Sequence, residues 1–110
     1  MTPIQEFRFR LSNGDQAEGW IEFHSPGYSG KFLYLPKGER SVSGTILSHP
    51  TAVAAFEHLL QMIGGVGNLR RTIVTTIDNP NNTELLSRSS QIQTLSRLGA
   101  TAAVLVNGKE

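Results

Sequence analysis

Six consecutive β-branched residues, Thr72-Ile73-Val74-Thr75-Thr76-Ile77, constrain this chain more than any other feature. Two heavy atoms on each Cβ crowd a helix and suit a pleated strand, so the run is read as a β-strand. Ala102-Ala103-Val104-Leu105-Val106 is read as a second strand, and its unbroken apolarity predicts burial on both faces and a central or covered place in a sheet. Between them, Leu85, Ile92 and Leu95 form a narrow apolar stripe, aided by Leu86 and Leu98, and Gly99 follows as a helix stop. A helix over Leu85 to Leu98 completes a βαβ-like unit, which implies a parallel pair of strands.

The junction Asp78-Asn79-Pro80-Asn81-Asn82-Thr83-Glu84 reads as a strand end, a turn and a helix start. Pro80 suits a first helical position, and Asn81 with Glu84 three residues later resembles a capping box, so the helix is expected to begin after Asn79 or Asn81. Free backbone N–H groups and the positive end of the helix dipole then converge, which suits an anion. Asn79, Asn81, Asn82 and Thr83 are therefore candidate ligand-binding residues, with Arg70, Arg71 and Arg88 as candidate charge partners. The same pattern also writes an ordinary strand-to-helix connection. Arg70 and Arg71 point to opposite sides of an extended chain, and Arg88 and Arg97 fall on opposite helix faces, so the arginines form no single basic stripe. They suit individual phosphate or carboxylate contacts better than a nucleic-acid track.

In the first half, Phe7, Phe9 and Leu11 alternate with Arg8 and Arg10, and Ala17, Gly19, Ile21 and Phe23 alternate with Glu18, Trp20, Glu22 and His24. This is a hairpin with one wet face. Keeping both apolar sets together requires an odd loop length or a bulge, with Gly14 left-handed. Arg8 and Arg10 then lie among Glu18, Trp20 and Glu22, where cross-strand charge pairs and a cation–π contact are expected. A loop over 25–30, a short strand Lys31 to Leu35, a turn at Pro36-Lys37-Gly38-Glu39 and a strand Ser41 to Leu47 complete an antiparallel meander. Ser48 or His49 is read as the cap of a helix with Pro50 in its first turn, Val53, Phe56, Leu60 and Ile63 as its stripe, and Gly64-Gly65 as its end.

Several chemistries are excluded by residue type or spacing. The chain has no cysteine, which removes disulfides and thiolate metal sites. In Gly65-Val66-Gly67, the glycines follow a helix and Arg70 stands where a dinucleotide fingerprint needs its third glycine. Around Gly30-Lys31, Ser25 and Phe32 occupy the glycine and Ser/Thr positions of a phosphate loop. His24, His49 and His58 lack the i, i+4 spacing of paired ligands on a helix, so no metal site and no cofactor is assigned. Asp15 and Asp78 have no carboxylate partner in sequence, and Ser48-His49 fits a helix start better than a hydrolase triad, so no catalytic residue is assigned.

Net charge +1 and a charged fraction of 17% argue against general nucleic-acid binding, and a surface rich in neutral polar groups favours self-association. Residues 1–63 hold five Lys/Arg against six Asp/Glu, whereas 64–110 hold five against three. No signal-peptide pattern and no apolar run of membrane length is present, which leads to the expectation of a soluble, cytoplasmic protein. The sequence therefore predicts one α+β domain over 1–110, with a mixed sheet and the order β-β-β-β-α-β-α-β. Its expected function is that of a non-catalytic, self-associating domain that holds a small anionic or nucleotide-like ligand. The alternatives are a regulatory subunit docking through a sheet edge or the 85–98 helix, and a small hydrolase or transferase with dispersed catalytic residues.

Overall fold

A computed structural model describes residues 4–24, 26–38, 40–66, 69–77 and 86–106. The period-two patterning of the first half becomes four strands, β1 (Ile4–Arg10), β2 (Gln16–His24), β3 (Gly27–Leu35) and β4 (Val42–His49), paired antiparallel in succession. They are followed by α1 (Ala52–Val66), β5 (Arg71–Ile77), α2 (Arg88–Arg97) and β6 (Thr101–Val106). All six strands join one mixed sheet in the order β4-β3-β2-β1-β5-β6, antiparallel except for the parallel pair β5 and β6. The α+β class and the element order match the reading of the sequence.

The β1–β2 pairing closes at Arg10 and Gln16, which leaves an odd loop, 11–15, and puts Phe7 opposite Gly19 and Phe9 opposite Ala17. Gly14 takes φ +86° there, as the alternation requires. Asp15 fixes this turn: its carboxylate accepts hydrogen bonds from the Tyr34 hydroxyl at 2.6 Å, the Asn13 amide at 3.0 Å and the Lys37 backbone N–H at 3.2 Å. Chiefly through the Tyr34 bond, these contacts hold the carboxyl below its ordinary value of 3.8.

β3 begins earlier than the sequence implies, because the glycines of the expected 25–30 loop permit close strand pairing. A Cβ on Gly30 would lie 2.3 Å from the Trp20 carbonyl oxygen. α1 also starts later than expected. β4 runs through His49, and Thr51 is the cap, its hydroxyl accepting from the Ala54 N–H at 3.1 Å. The helix then continues through Gly64 and Gly65 to Val66 rather than stopping at the glycine pair.

Both helices cover one face of the sheet. Phe7, Phe9, Ile21, Ile46, Val74 and Val104 of the sheet share a single buried cluster with Phe56, Leu59, Leu60 and Ile63 of α1 and Leu95 of α2. Phe7 and Phe56 pack ring to ring at 4.9 Å. The opposite face carries the alternate residues Arg8, Arg10, Glu18, Trp20, Lys31 and Ile73, and no helix of the described residues covers it.

Two readings of the second half are corrected. β6 is an edge strand with β5 as its sheet neighbour, not a central one; its apolarity reflects packing against α2 on one side, where Val104 is buried. α2 starts at Arg88 with Ser87 as its cap, not after Asn79 or Asn81: the Ser87 side chain accepts from the Ser90 N–H at 3.1 Å. Leu86, just before it, is clamped by Gln5 of β1. The Leu86 N–H donates to Gln5 Oε1 at 2.7 Å, and Gln5 Nε2 donates to the Leu86 carbonyl at 3.1 Å. This reciprocal pair acts as one further step of backbone ladder and fixes where α2 begins.

Candidate functional site

Antiparallel pairing of β1 with β5 brings the end of one strand to the start of the other. Arg10 lies opposite Ile73, and Arg71 is two residues from Ile73, so the two arginines are diagonal neighbours on the uncovered face, about 7–8 Å apart at Cα. They line a shallow concavity of about 590 Å³, completed by Leu11, Ser12, Thr72, Ile73 and Thr101. A second depression of about 390 Å³ continues from it along Arg8, Arg10, Ile73 and Thr75. No carboxylate lines either one among the described residues.

Backbone contacts fix the floor. Ser12 Oγ accepts from the Arg71 N–H at 2.7 Å and donates to the Arg71 carbonyl at 3.1 Å, so a side chain extends the β1–β5 ladder after β1 turns away. Thr72 Oγ1 donates to the Leu69 carbonyl at 2.7 Å, and the Thr101 N–H donates to the Arg70 carbonyl at 2.8 Å. The hydroxyls of Ser12 and Thr72 are thus engaged in holding the Arg70–Thr72 backbone. What faces outward is the pair of guanidinium groups on Arg10 and Arg71, both exposed. Two like charges on a fixed frame raise the local potential and favour an anion carrying more than one negative charge.

Of the residues expected to act together, Arg70 and Arg71 stand at one end of the sheet and Arg88 at the other. Arg71 opens β5, and six residue steps of about 3.3 Å place it roughly 20 Å from Ile77, where the 78–84 junction begins. Arg88 belongs to the Ile77 end, because Leu86 is held by Gln5, next to the Glu6–Ile77 pair. α2 then returns to the Arg71 end, where Thr101 bonds Arg70. Arg70 is exposed at the Arg71 end. Asn79, Asn81, Asn82 and Thr83 lie outside the described residues.

Arg8 and Arg10 are residues that sequence reasoning assigned to sheet pairing. Arg8 does lie opposite Glu18, but the ion pair formed among the described side chains is Arg97 to Glu57 at 3.6 Å, and neither Arg8 nor Arg10 makes an ion pair or a cation–π contact there. The signal was present in the alternation of Arg8 and Arg10 on the wet side of a strand. What the sequence lacked was the neighbouring strand, β5, which contributes Arg71.

His49 and His58, read separately in the sequence, meet across β4 and α1 with Nε2 and Nδ1 2.9 Å apart and rings nearly perpendicular. Among the described residues no third His, Cys, Asp or Glu joins them to make a metal-ligating group. No described helix is long and apolar enough to cross a membrane. Comparisons with family models, curated proteins and solved structures gave no match. The geometry of the site is therefore the basis for its functional reading.

Proposed function

We propose that this chain is a soluble, cytoplasmic, non-catalytic binding domain that self-associates and holds a small anionic ligand, of phosphate-bearing or nucleotide-like chemistry, at the Arg10–Arg71 concavity. The observation that carries this reading is the pair of exposed guanidinium groups on a backbone frame fixed by Ser12, with no carboxylate in the lining among the described residues. Arginine presents a planar fork of donors that matches phosphate or carboxylate oxygens in pairs, so two of them orient a ligand as well as attract it. The adjoining apolar surface of Ile73 suits a ligand with a flat or hydrocarbon part beside its charge. The non-catalytic reading is supported by the lining, which among the described residues offers neither imidazole nor carboxylate for proton transfer.

A thermal-shift screen against inorganic phosphate, nucleotides and metabolite phosphates tests this function. A ligand at 100 times its dissociation constant adds about 2.7 kcal/mol of stability, a shift of roughly 10 °C for a chain of this length. Absence of stabilisation by every phosphate-bearing compound at millimolar concentration would contradict it.

A further inference from the structure

We propose that the uncovered sheet face is an interface whose partner is a second copy of this chain, packed face to face about a two-fold axis running along the strands between β1 and β2. The inference rests on the self-association in the proposed function, and because Arg10 and Ile73 of the concavity lie within this interface, the anion and the second copy compete for the same face. Parallel strand pairs are ordinarily covered on both faces, yet the described helices cover β5 and β6 on one side alone.

The strand order puts three strands on each side of that axis. A two-fold along it lays β1 over β2 of the second copy, β5 over β3 and β6 over β4, while each residue keeps its position along the strand direction. One row across the face reads Leu33, Glu18, Arg8 and Thr75, and the next reads Leu35, Gln16, Arg10 and Ile73. Turned over, Arg8 faces Glu18 of the second copy, and Ile73 faces its Leu35. Symmetry forms each contact twice.

Ile73 and Leu35 are among the exposed large hydrophobic residues, at 40% and 39%, so these contacts would cover apolar surface that one copy leaves in water. Arg8 and Glu18, though laterally opposed, form no ion pair within one copy among the described residues, which leaves both charges available across the interface. Six strands about 4.8 Å apart and about 20 Å long give roughly 600 Å² of projected face, near the ~800 Å² of accessible surface that each partner buries in a standard interface.

Sedimentation of the full chain at tens of micromolar, with folding of each variant verified by thermal melting, tests the proposal. The wild type is expected as a dimer of twice the 12.0 kDa chain mass. Arg8→Glu alone and Glu18→Arg alone each set like charges face to face at both symmetric contacts, and each is expected to weaken dimerisation by at least about tenfold. An equimolar mixture of these two variants pairs opposite charges at both contacts and is expected to recover association, which no contact within one chain can explain. Leu35→Lys supplies an arm that leaves the charge pair intact and is also expected to weaken the dimer. A wild type that stays at 12.0 kDa at about 100 µM would overturn both this interface and self-association itself. A dimer indifferent to these variants, or one that fails to recover in the mixture, would overturn this interface while leaving self-association standing.

Discussion

Replacing Gln5 with Leu isolates the contact that fixes the start of α2. In the native chain Gln5 is 4% exposed and makes both halves of a reciprocal hydrogen-bond pair with the Leu86 backbone. Leucine keeps the apolar bulk and removes both partners. The Leu86 carbonyl keeps one weaker donor, Gln91 Nε2 at 3.4 Å, whereas its N–H loses its Gln5 acceptor in a buried setting. An orphaned buried donor costs about 1–3 kcal/mol and a lost but replaceable hydrogen bond about 0.5–1.5, so Gln5→Leu is expected to cost about 2–4 kcal/mol. For a chain of this length, that lowers Tm by roughly 8–16 °C at about 4 °C per kcal/mol. Urea unfolding gives the free energy directly. Amide exchange at Ser90 and Gln91 is expected to accelerate more than exchange in β2, because local opening begins where α2 loses its anchor. A cost below about 0.5 kcal/mol, or loss of protection spread evenly over the chain, would refute the assignment of the clamp.

Asp15 links stability to pH. Its carboxyl is held below 3.8 in the folded chain, so its stabilising contribution is fully present above that value and is lost as pH falls through the lower folded value. Stability against pH between about 5 and 2 is expected to be flatter for Asp15→Asn than for the wild type, and parallel curves would count against it. Ser87→Ala is expected to cost about 0.5–2 kcal/mol through loss of the α2 cap, and Asn81→Ala to cost less in the same urea assay; the reverse order would return the cap to the 78–84 junction. Gly30→Ala forces a Cβ against the Trp20 carbonyl and is expected to destabilise by about 1–3 kcal/mol, a result that a neutral substitution would contradict.

Local patterning made the strands legible. Alternation in Phe7-Arg8-Phe9-Arg10 and the β-branched run from Thr72 each encode an extended chain with a defined inner face, and the odd hairpin loop with left-handed Gly14 follows from keeping both apolar sets together. Boundaries depended on contacts distant in sequence. Thr51 rather than Ser48 or His49 caps α1 because pairing with β3 draws β4 on to His49. Ser87 caps α2 because Gln5, a distant residue, holds Leu86 out of the helix. Strand order was the largest gap: the apolar run at 102–106 reads as central or covered, and its place at the edge, covered by α2 on one face, follows from β5 pairing with β1.

The candidate site was half legible for the same reason. Arg71 could be singled out as a charged residue at a strand start. Its partner Arg10 emerges only when β1 and β5 are side by side, and its separation from Arg88 follows from the length of β5 and the direction of α2.

Equilibrium binding of a phosphate-bearing ligand found in the thermal screen, followed through the fluorescence of the chain's one tryptophan, Trp20, or by calorimetry, tests the central claim most directly. Charge-assisted contacts are worth about 1.5–3 kcal/mol, so Arg10→Ala and Arg71→Ala are each expected to weaken binding roughly ten- to a hundredfold. Arg88→Ala, at the far end of the sheet, is expected to leave the affinity unchanged. Affinity that falls with Arg88→Ala and is indifferent to Arg10→Ala and Arg71→Ala would contradict the account and move the ligand to the start of α2.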